Sequence, residues 1–210
     1  MQDFKNVFIF GYSGHAYVLI ESMLESGYTI LGYFDKKQAT INPYNINYLG
    51  FELDVDLKSI VNDNYVFPTV GENFIREKLL KIFCTEGLNQ FSLIDKTSNV
   101  SKTAKIGLST YIGKNVCVNA LVKIGSGVIL NTNAVIEHEC EIDDLVHIAP
   151  SATLAGNVKV GRASFLGANS VCKQNITIGN NCTVGAGSTL VKNMPDNEIW
   201  IGNPAKKFIK

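Results

Sequence analysis

Residues 128–150 read V-I-L-N-T-N-A-V-I-E-H-E-C-E-I-D-D-L-V-H-I-A-P, and an apolar residue recurs in this stretch at every sixth position. The same spacing continues outward in both directions without an insertion. Its positions, all apolar, are Ile94, Val100, Ile106, Ile112, Val118, Ile124, Leu130, Ile136, Ile142, Ile148, Leu154, Val160, Leu166, Cys172, Ile178, Val184 and Leu190. A strict six-residue period over this length indicates an internally repeated fold.

The residues two places before each repeat aliphatic are small or β-branched, as at Ala134 and Cys140. Because side chains alternate along a strand, both sets point inward, and small residues suit a narrow core. The residue after each aliphatic is often Gly, Asn or Asp, as at Gly125 and Asn131. These residue types tolerate a positive φ, so we expect them to form the corners. The pattern is the hexapeptide signature of a parallel β-helix, with three hexads in each triangular coil.

The outward position just before each aliphatic sorts into three faces when every eighteenth residue is taken. The first face carries Tyr111, Ile129, His147, Phe165 and Thr183, the second face Cys117, Val135, Thr153, Val171 and Thr189, and the third face Lys105, Lys123, Glu141, Lys159 and Thr177. Only the third face has the character of a solvated surface. We expect the two apolar faces to be buried against other copies of the chain in a closed trimer, the alternative being a mildly apolar monomer surface.

The N-terminal part of the chain alternates strand and helix patterns. Apolar runs predict strands at residues 6–10, 28–34, 65–70 and 91–94. Amphipathic spacing predicts helices at residues 16–24 and 72–85, with a short helix near residues 57–61. In the last long helix, Ile75, Leu79, Ile82 and Phe83 form the apolar face. The predicted fold is therefore mixed, with a small α/β parallel-sheet (Rossmann-like) domain at residues 1–90 and a β-helix with a C-terminal tail at residues 91–210.

Ligands of such sheets bind beyond the carboxyl ends of the strands, which here are Gly11, Asp35 and Gly71. The first of these ends opens a G-Y-S-G-H turn at residues 11–15, where amide groups at a helix N-terminus can hold an anion. The dinucleotide fingerprint G-x-G-x-x-G is absent, so a nicotinamide cofactor is disfavoured while a nucleotide diphosphate is still allowed. The alternative is that the glycines serve only the tight turn.

Composition excludes several classes of partner. Equal numbers of acidic and basic side chains, 19 of each, provide no basic field for nucleic acid. No apolar run approaches the ~20 residues of a membrane span, and the N-terminus lacks the long apolar core of a signal peptide. The five cysteines are odd in number and never form C-x-x-C. We expect a reduced, cytoplasmic protein.

Three motifs carry a family resemblance: V-I-L-N-T-N-A-V-I-E-H-E-C at residues 128–140, A-G-N-V-K-V-G at residues 155–161 and G-N-P-A-K at residues 202–206. They resemble those of the left-handed β-helix sugar acetyltransferases, which include sialic acid O-acetyltransferases and bacillosamine-pathway N-acetyltransferases. The likeness covers nearly the whole chain, because that family also has G-x-S-G-H in a small first domain. It implies a left-handed coil, a homotrimer and acetyl-coenzyme A (acetyl-CoA) as donor.

The resemblance also implies roles for individual residues. The catalytic base falls on His138, with Glu139 raising its basicity. The acetyl-CoA contacts fall on His147, Ala168 and Ala186, and the nucleotide-sugar contacts fall on Ser13, Gly14, His15, Asp35 and Gly71. Lys36, which we include among the nucleotide-sugar contacts, stands where some members have a second acid, and this leaves the base or the sugar open.

Attack of an amine or hydroxyl on a thioester requires a group that removes a proton, and a neutral imidazole suits that role near pH 7. The leading hypothesis is N-acetylation of a nucleotide-linked amino sugar, such as a UDP-4-amino-4,6-dideoxy sugar, for surface glycan synthesis. O-acetylation of sialic acid or another sugar is the enzymatic alternative, and a nucleotide-sugar-binding scaffold is the non-enzymatic one. A zinc hydratase of the same solenoid type needs three histidine ligands. The repeat region has only two, so we expect no metal.

Overall fold

The computed structural model describes residues 5–209, and its first domain is a four-stranded sheet with helices. The elements are β1 (Lys5–Phe10), α1 (Gly14–Glu25), β2 (Tyr28–Phe34), α2 (Leu57–Val61), β3 (Tyr65–Pro68), α3 (Asn73–Thr85) and β4 (Asn89–Gln90). All strand pairs are parallel, in the order β2-β1-β3-β4. The predicted α/β parallel sheet is confirmed. Of the strand predicted at residues 91–94, only Leu93–Ile94 is a strand, and it pairs within the repeat region, while the first sheet ends at β4.

The repeat region is a parallel β-solenoid of short strands that stack into three sheets, one for each face. On the first face lie β5 (Leu93–Ile94), β8 (Tyr111–Ile112), β11 (Ile129–Leu130), β14 (His147–Ile148), β17 (Phe165–Leu166), β20 (Thr183–Val184), β22 (Ile199–Ile201) and β23 (Lys206–Lys207). On the second lie β6 (Asn99–Val100), β9 (Cys117–Val118), β12 (Val135–Ile136), β15 (Thr153–Leu154), β18 (Val171–Cys172) and β21 (Thr189–Leu190). On the third lie β7 (Lys105–Ile106), β10 (Lys123–Ile124), β13 (Glu141–Ile142), β16 (Lys159–Val160) and β19 (Thr177–Ile178).

The solenoid core consists of the two predicted sets of inward residues. Every repeat aliphatic from Ile112 to Leu190 is buried, and so are the small residues two places earlier, among them Ala134, Cys140 and Ala152. Partners on successive coils pair in register, as Ile129 does with His147. Each coil therefore buries its aliphatic side chains against the next one, which is why the period tolerates no insertion.

The left-handed backbone lies two residues further along each corner than the sequence predicted. Gly107 and Gly125 have no positive φ. The positive φ values fall instead on Ser109, Asn115, Leu121, Gly127, Asn133, Glu139, Leu145, Ser151, Asn157, Ala163, Asn169, Asn175, Asn181 and Gly187. The corner glycines are needed because the coils stack closely. A Cβ on Gly107 would lie 2.6 Å from the carbonyl carbon of Gly125 on the next coil.

The expected burial of the first face against other copies is wrong for its first two residues. Tyr111 and Ile129 are 1% and 2% exposed, and they pack in one cluster with Ile9 and Leu19 of the first domain. The chain's own first domain therefore covers this part of the face. An apolar residue at an outward position indicates that the position is buried. It does not indicate whether the covering surface belongs to the same chain or to another copy.

Polar contacts fasten α1 to the first coils of the solenoid. The Ser22 hydroxyl donates to Asp95 (2.5 Å) and lies 3.1 Å from the hydroxyl of Tyr111. Lys114 forms an ion pair with Glu25 at 2.9 Å. Together with the shared apolar cluster, these contacts set the carboxyl edge of the first sheet over the middle of the first face.

Candidate functional site

The loops at the carboxyl edge of the first sheet are tied together by Asp35. Its carboxylate accepts hydrogen bonds from the N–H of Tyr12 (2.9 Å) and the N–H of Lys36 (2.6 Å). Ser13 precedes α1 as its N-cap, and its side chain makes no capping hydrogen bond. Ser13, Gly14 and the Lys36 side chain are exposed. The residues predicted to contact the nucleotide sugar thus share one open edge with unused helix N–H groups.

The same edge meets the solenoid at Gly71. A Cβ built on Gly71 would lie 3.6 Å from the His15 ring and 3.9 Å from the His147 ring. The carbonyl oxygen of Gly71 lies 3.2 Å from Nδ1 of His147. The ring centroids of His15 and His147 are 6.1 Å apart. Two predicted nucleotide-sugar residues therefore lie beside one of the predicted acetyl-CoA residues, at the junction of the two domains.

Both histidines at this junction are neutral at pH 7. Burial lowers the pKa of His147 to about 3, and the charges of Arg76 and His15 contribute in the same direction. Burial also lowers the pKa of His15 to about 4, again with Arg76 contributing. Within residues 5–209, Nε2 of His15 is buried and has no hydrogen-bond partner. The junction consequently presents nitrogen lone pairs and no imidazolium charge.

Arg76, on α3, is fully buried although it is not among the residues predicted to form the apolar face of this helix. Arg76, Leu79 and Phe83 are buried, whereas Ile75 of the predicted face is 46% exposed. The guanidinium donates to the carbonyl oxygens of Gly127, Val70, Gly71 and Leu145 and to Oδ1 of Asn73. Burial lowers its pKa to about 10, so it stays charged at pH 7. It bonds backbone of both domains, and no sequence pattern marks such a residue.

His138 and Glu139 lie on the corner between the second and third faces. Nδ1 of His138 is 3.0 Å from Oε2 of Glu139, and both side chains are more than half exposed. Because the carboxylate only accepts, Nδ1 carries the hydrogen, and in the neutral ring Nε2 is the nitrogen that has the lone pair. A Cβ on Gly156 of the next coil would lie 2.6 Å from Nε2 of His138. The absence of a side chain at Gly156 lets the imidazole lie against the coil, and this requirement was not predicted from the sequence.

Ala168 and Ala186 are exposed neighbours on the corner between the first and second faces. The N–H of Gly187 donates to the carbonyl oxygen of Ala168 (2.8 Å), so the two alanines lie on successive coils. Within residues 5–209, neither alanine N–H donates to a backbone or side-chain acceptor. Small side chains with free amide groups fit an extended chain of amides and methylenes, which is the chemistry of the pantetheine arm of coenzyme A.

One chain does not bring all of these residues together. The first-domain edge and His147 lie on the first face, whereas His138 lies on the corner opposite that face. In the described part of the chain, no group of three or more His, Cys, Asp or Glu side chains is arranged to hold a metal ion. Across residues 5–209, no helix has the length and apolarity to cross a membrane.

Two grooves lie on different faces of the solenoid. A groove of about 490 Å³ runs beside Gly71 and His147, with Phe74, Phe165 and Thr183 among its lining residues. A larger groove, of about 660 Å³, follows the third face. There Lys123 and Lys159 are already paired with Glu141 at 3.1 and 3.6 Å, and none of the candidate residues lines it. We therefore assign the smaller groove to the site, because it adjoins the buried imidazole.

Comparison with known proteins identifies the family of this chain. Residues 6–83 match the PglD N-terminal domain family, and residues 157–192 match the hexapeptide repeat of succinyl-transferase. A structure of PerB from Caulobacter crescentus in complex with CoA and GDP-perosamine is 32% identical, with a TM-score of 0.91 and 97% of each chain covered. The chain belongs to the β-helix sugar acetyltransferases of the bacillosamine and perosamine type.

A further structure supports the assignment, and another shows the shared fold. The acetyltransferase domain of PglB from Neisseria gonorrhoeae, in complex with acetyl coenzyme A, is 30% identical to this sugar acetyltransferase, with a TM-score of 0.91 over 98% of this chain and 100% of that one. WeeI from Acinetobacter baumannii, at 20% identity and a TM-score of 0.87, shares the fold. The predicted enzyme class and family are confirmed, and the scaffold alternative is not supported.

Proposed function

We propose that this acetyltransferase moves the acetyl group of acetyl-CoA to the amine of a nucleotide-linked amino sugar, such as a UDP-4-amino-4,6-dideoxy sugar, for surface glycan synthesis. The observation that carries the proposal is the contact between Gly71 and His147, at 3.2 Å. It joins the ligand edge of a parallel sheet to the face of a hexapeptide solenoid. The GDP-linked amino sugar and CoA bound by PerB support the same pairing of acceptor and donor.

The reaction requires one proton acceptor. The amine nitrogen attacks the thioester carbonyl carbon, the new C–N bond forms, and the C–S bond breaks as the thiolate leaves. His138 takes the proton released by the amine through Nε2, and Glu139 stabilises the resulting imidazolium across their 3.0 Å contact. The proton then passes to the thiolate, which leaves as free coenzyme A. All atoms and charges balance without a metal.

The site is completed by a second copy of the chain, in a homotrimer. His138 lies on the corner away from the first face, so its Nε2 reaches an acceptor only if a neighbouring solenoid brings its corner to that face. The second face supplies a surface for this packing, because Val171 on it is 42% exposed and Val135 is half-buried. Ala168 and Ala186 lie at the edge shared by these two faces, where the donor would run between subunits.

The first domain holds the nucleotide part of the acceptor. Ser13, Gly14 and His15 at the start of α1 suit the diphosphate, while Asp35 and Lys36 reach the base or ribose from the end of β2. All five cysteines are free thiols, which supports a reducing cytoplasm as the working compartment.

A substrate panel tests the proposal. The full-length protein is incubated with acetyl-CoA and with UDP-, dTDP- or GDP-linked 4-amino sugars, and thiol release is followed together with product mass. We expect an amide product from at least one nucleotide-linked amino sugar and none from the free sugar. Sialic acid serves as the comparison substrate, because an alkali-labile ester product from it alone would establish the O-acetyltransferase instead. Absence of thiol release with every amino sugar would overturn the proposal.

A further inference from the structure

The buried guanidinium of Arg76 and the imidazole of His147 share one acceptor. Nη1 of Arg76 lies 3.0 Å from the carbonyl oxygen of Gly71, and Nδ1 of His147 lies 3.2 Å from the same oxygen. A carbonyl oxygen has two lone pairs and no hydrogen to give. Both contacts are hydrogen bonds only if both nitrogens donate, which requires a hydrogen on Nδ1 of His147.

The other ring nitrogen of His147, Nε2, faces a hydrogen-bond donor, as expected for a neutral ring with its hydrogen on Nδ1. Nδ2 of Asn131 lies 3.4 Å from Nε2 of His147. Its orientation is fixed, because Oδ1 of Asn131 accepts from the N–H of Thr132 at 2.8 Å. The amide nitrogen therefore faces the imidazole as a donor, and a donor is suited to a bare Nε2. The 3.4 Å contact is long, so Nε2 still has capacity to accept a shorter hydrogen bond from a ligand.

The charges around the ring of His147 favour its neutral form. His147 is 9% exposed and lines the groove beside Gly71 and Phe165. The titratable groups near the junction are Arg76 and Glu72 at the start of α3, Glu77 further along the groove, and the neutral His15 on α1. A cationic ring beside the buried guanidinium would be repelled without a carboxylate in contact to compensate.

We propose that Arg76 is a positioning residue of the acetyl-transfer site, which fixes His147 as a neutral imidazole with its hydrogen on Nδ1 and presents Nε2 to the groove as a hydrogen-bond acceptor. His147 then does not polarise the thioester carbonyl, since that would require an N–H at Nε2. It accepts a hydrogen bond from a substrate N–H, such as an amide of the pantetheine arm or the acceptor amine. This last step rests on the proposed function, whereas the state of the ring does not.

Nitrogen-15 NMR of the full-length, histidine-labelled protein without substrate tests the assignment. Substituting each of the three histidines by Gln identifies the signals. We expect His147 to give a two-bond correlation pattern with a protonated Nδ1 and a bare Nε2 from pH 5 to pH 8. A hydrogen on Nε2, or a cationic ring in this range, would overturn the proposal. Adding CoA should shift the Nε2 resonance toward that of a hydrogen-bonded acceptor, and no shift with either CoA or the acceptor would contradict the substrate contact.

Arg76→Lys tests the positioning role. A lysine keeps the charge but has a single ammonium group, so it cannot reproduce the guanidinium's bonds to both domains. We expect the Nε2–H form of His147 to appear and kcat to fall by roughly 10-fold or more, through misplacement of the ring. Arg162→Lys is the control, because that half-buried arginine is also on the domain junction and, within residues 5–209, its side chain forms one ion pair, with Glu77 at 3.1 Å. An unchanged tautomer and kcat in folded Arg76→Lys would overturn the role, and if this variant does not fold, the wild-type spectrum still decides the state of the ring.

Discussion

At the scale of single residues, His138 is exposed and its hydrogen-bond partner is Glu139, at 3.0 Å. We expect His138→Ala to lower kcat by at least ~10²-fold while the KM for the nucleotide sugar changes little, because the base acts only as the C–N bond forms. Glu139→Gln should cost less, since it weakens the base without removing it. Steady-state kinetics of both variants provide the comparison. Near-normal turnover in His138→Ala would exclude that residue from the mechanism.

Gly156 makes room for the base. An alanine Cβ there would lie 2.5 Å from Cε1 and 2.6 Å from Nε2 of His138, so the exposed ring would have to swing away from the coil. We expect Gly156→Ala to fold normally and to lower kcat by roughly 10-fold or more through lost alignment. The control is the same substitution added to His138→Ala, where it should have no further effect. Independent, additive losses would show that Gly156 acts elsewhere.

At the scale of elements, α1, α3 and β14 bring two neutral histidines to the domain junction. The unfolded chain binds protons on His15 and His147 below about pH 6.5, whereas the folded chain does so only near pH 4 and pH 3. Stability is therefore full above pH 6.5 and falls as the pH drops, by up to about 1.4 kcal/mol per pH unit for each histidine. Urea unfolding at pH 7, 6 and 5 measures this slope. The double variant His15→Gln, His147→Gln should flatten it, and an unchanged slope would contradict the burial of two neutral rings.

Much of the solenoid was predictable at this scale because its period leaves little freedom. The inward aliphatic and small residues follow from a six-residue step, and β2 was predicted with its observed bounds, Tyr28–Phe34. The corner glycines were predicted from their tolerance of a positive φ, whereas the structure requires them for the close stacking of coils. Both requirements select glycine, so the sequence alone does not distinguish them. The burial of Arg76 was missed because its hydrogen-bond partners are mainly backbone carbonyl oxygens. Every residue has such an oxygen, so no particular residue type in the sequence indicates the partner. Gly156 was missed because its neighbour, His138, is a coil away.

At the scale of the whole molecule, the second face is the apolar surface that the first domain leaves open. Val171 on this face is 42% exposed. We expect Val171→Lys to dissociate the proposed trimer and to abolish activity with it, because a buried unpaired ammonium is costly. Thr177→Lys on the charged third face is the matched control and should stay trimeric and active. Analytical ultracentrifugation separates the outcomes, and an active, trimeric Val171→Lys would remove the second face from the interface.

The first face also illustrates what a sequence leaves open at this scale. Tyr111 and Ile129 have the outward apolar pattern of an intersubunit surface, yet the chain's own first domain covers them. This packing matters for the site, because the first domain places Gly71 beside His147, whereas His138 lies on the corner opposite the first face. We propose that the acceptor-binding edge of one chain and His138 of a neighbouring chain together form one active site.

Complementation between two inactive variants tests this claim most directly. His138→Ala lacks the base, and Gly71→Trp fills the space beside His15 and His147, because even a Cβ built on Gly71 would lie 3.6 Å from the first ring and 3.9 Å from the second. The two chains are co-expressed with different tags, and hybrid trimers are purified and assayed against each variant alone. If sites lie between chains, the purified hybrids regain about a third of wild-type activity, since every trimer that contains both variants pairs an intact base with an intact acceptor edge at one of its three sites. No recovery in hybrids that form stable trimers would mean that each site is built within one chain, and the account would be wrong.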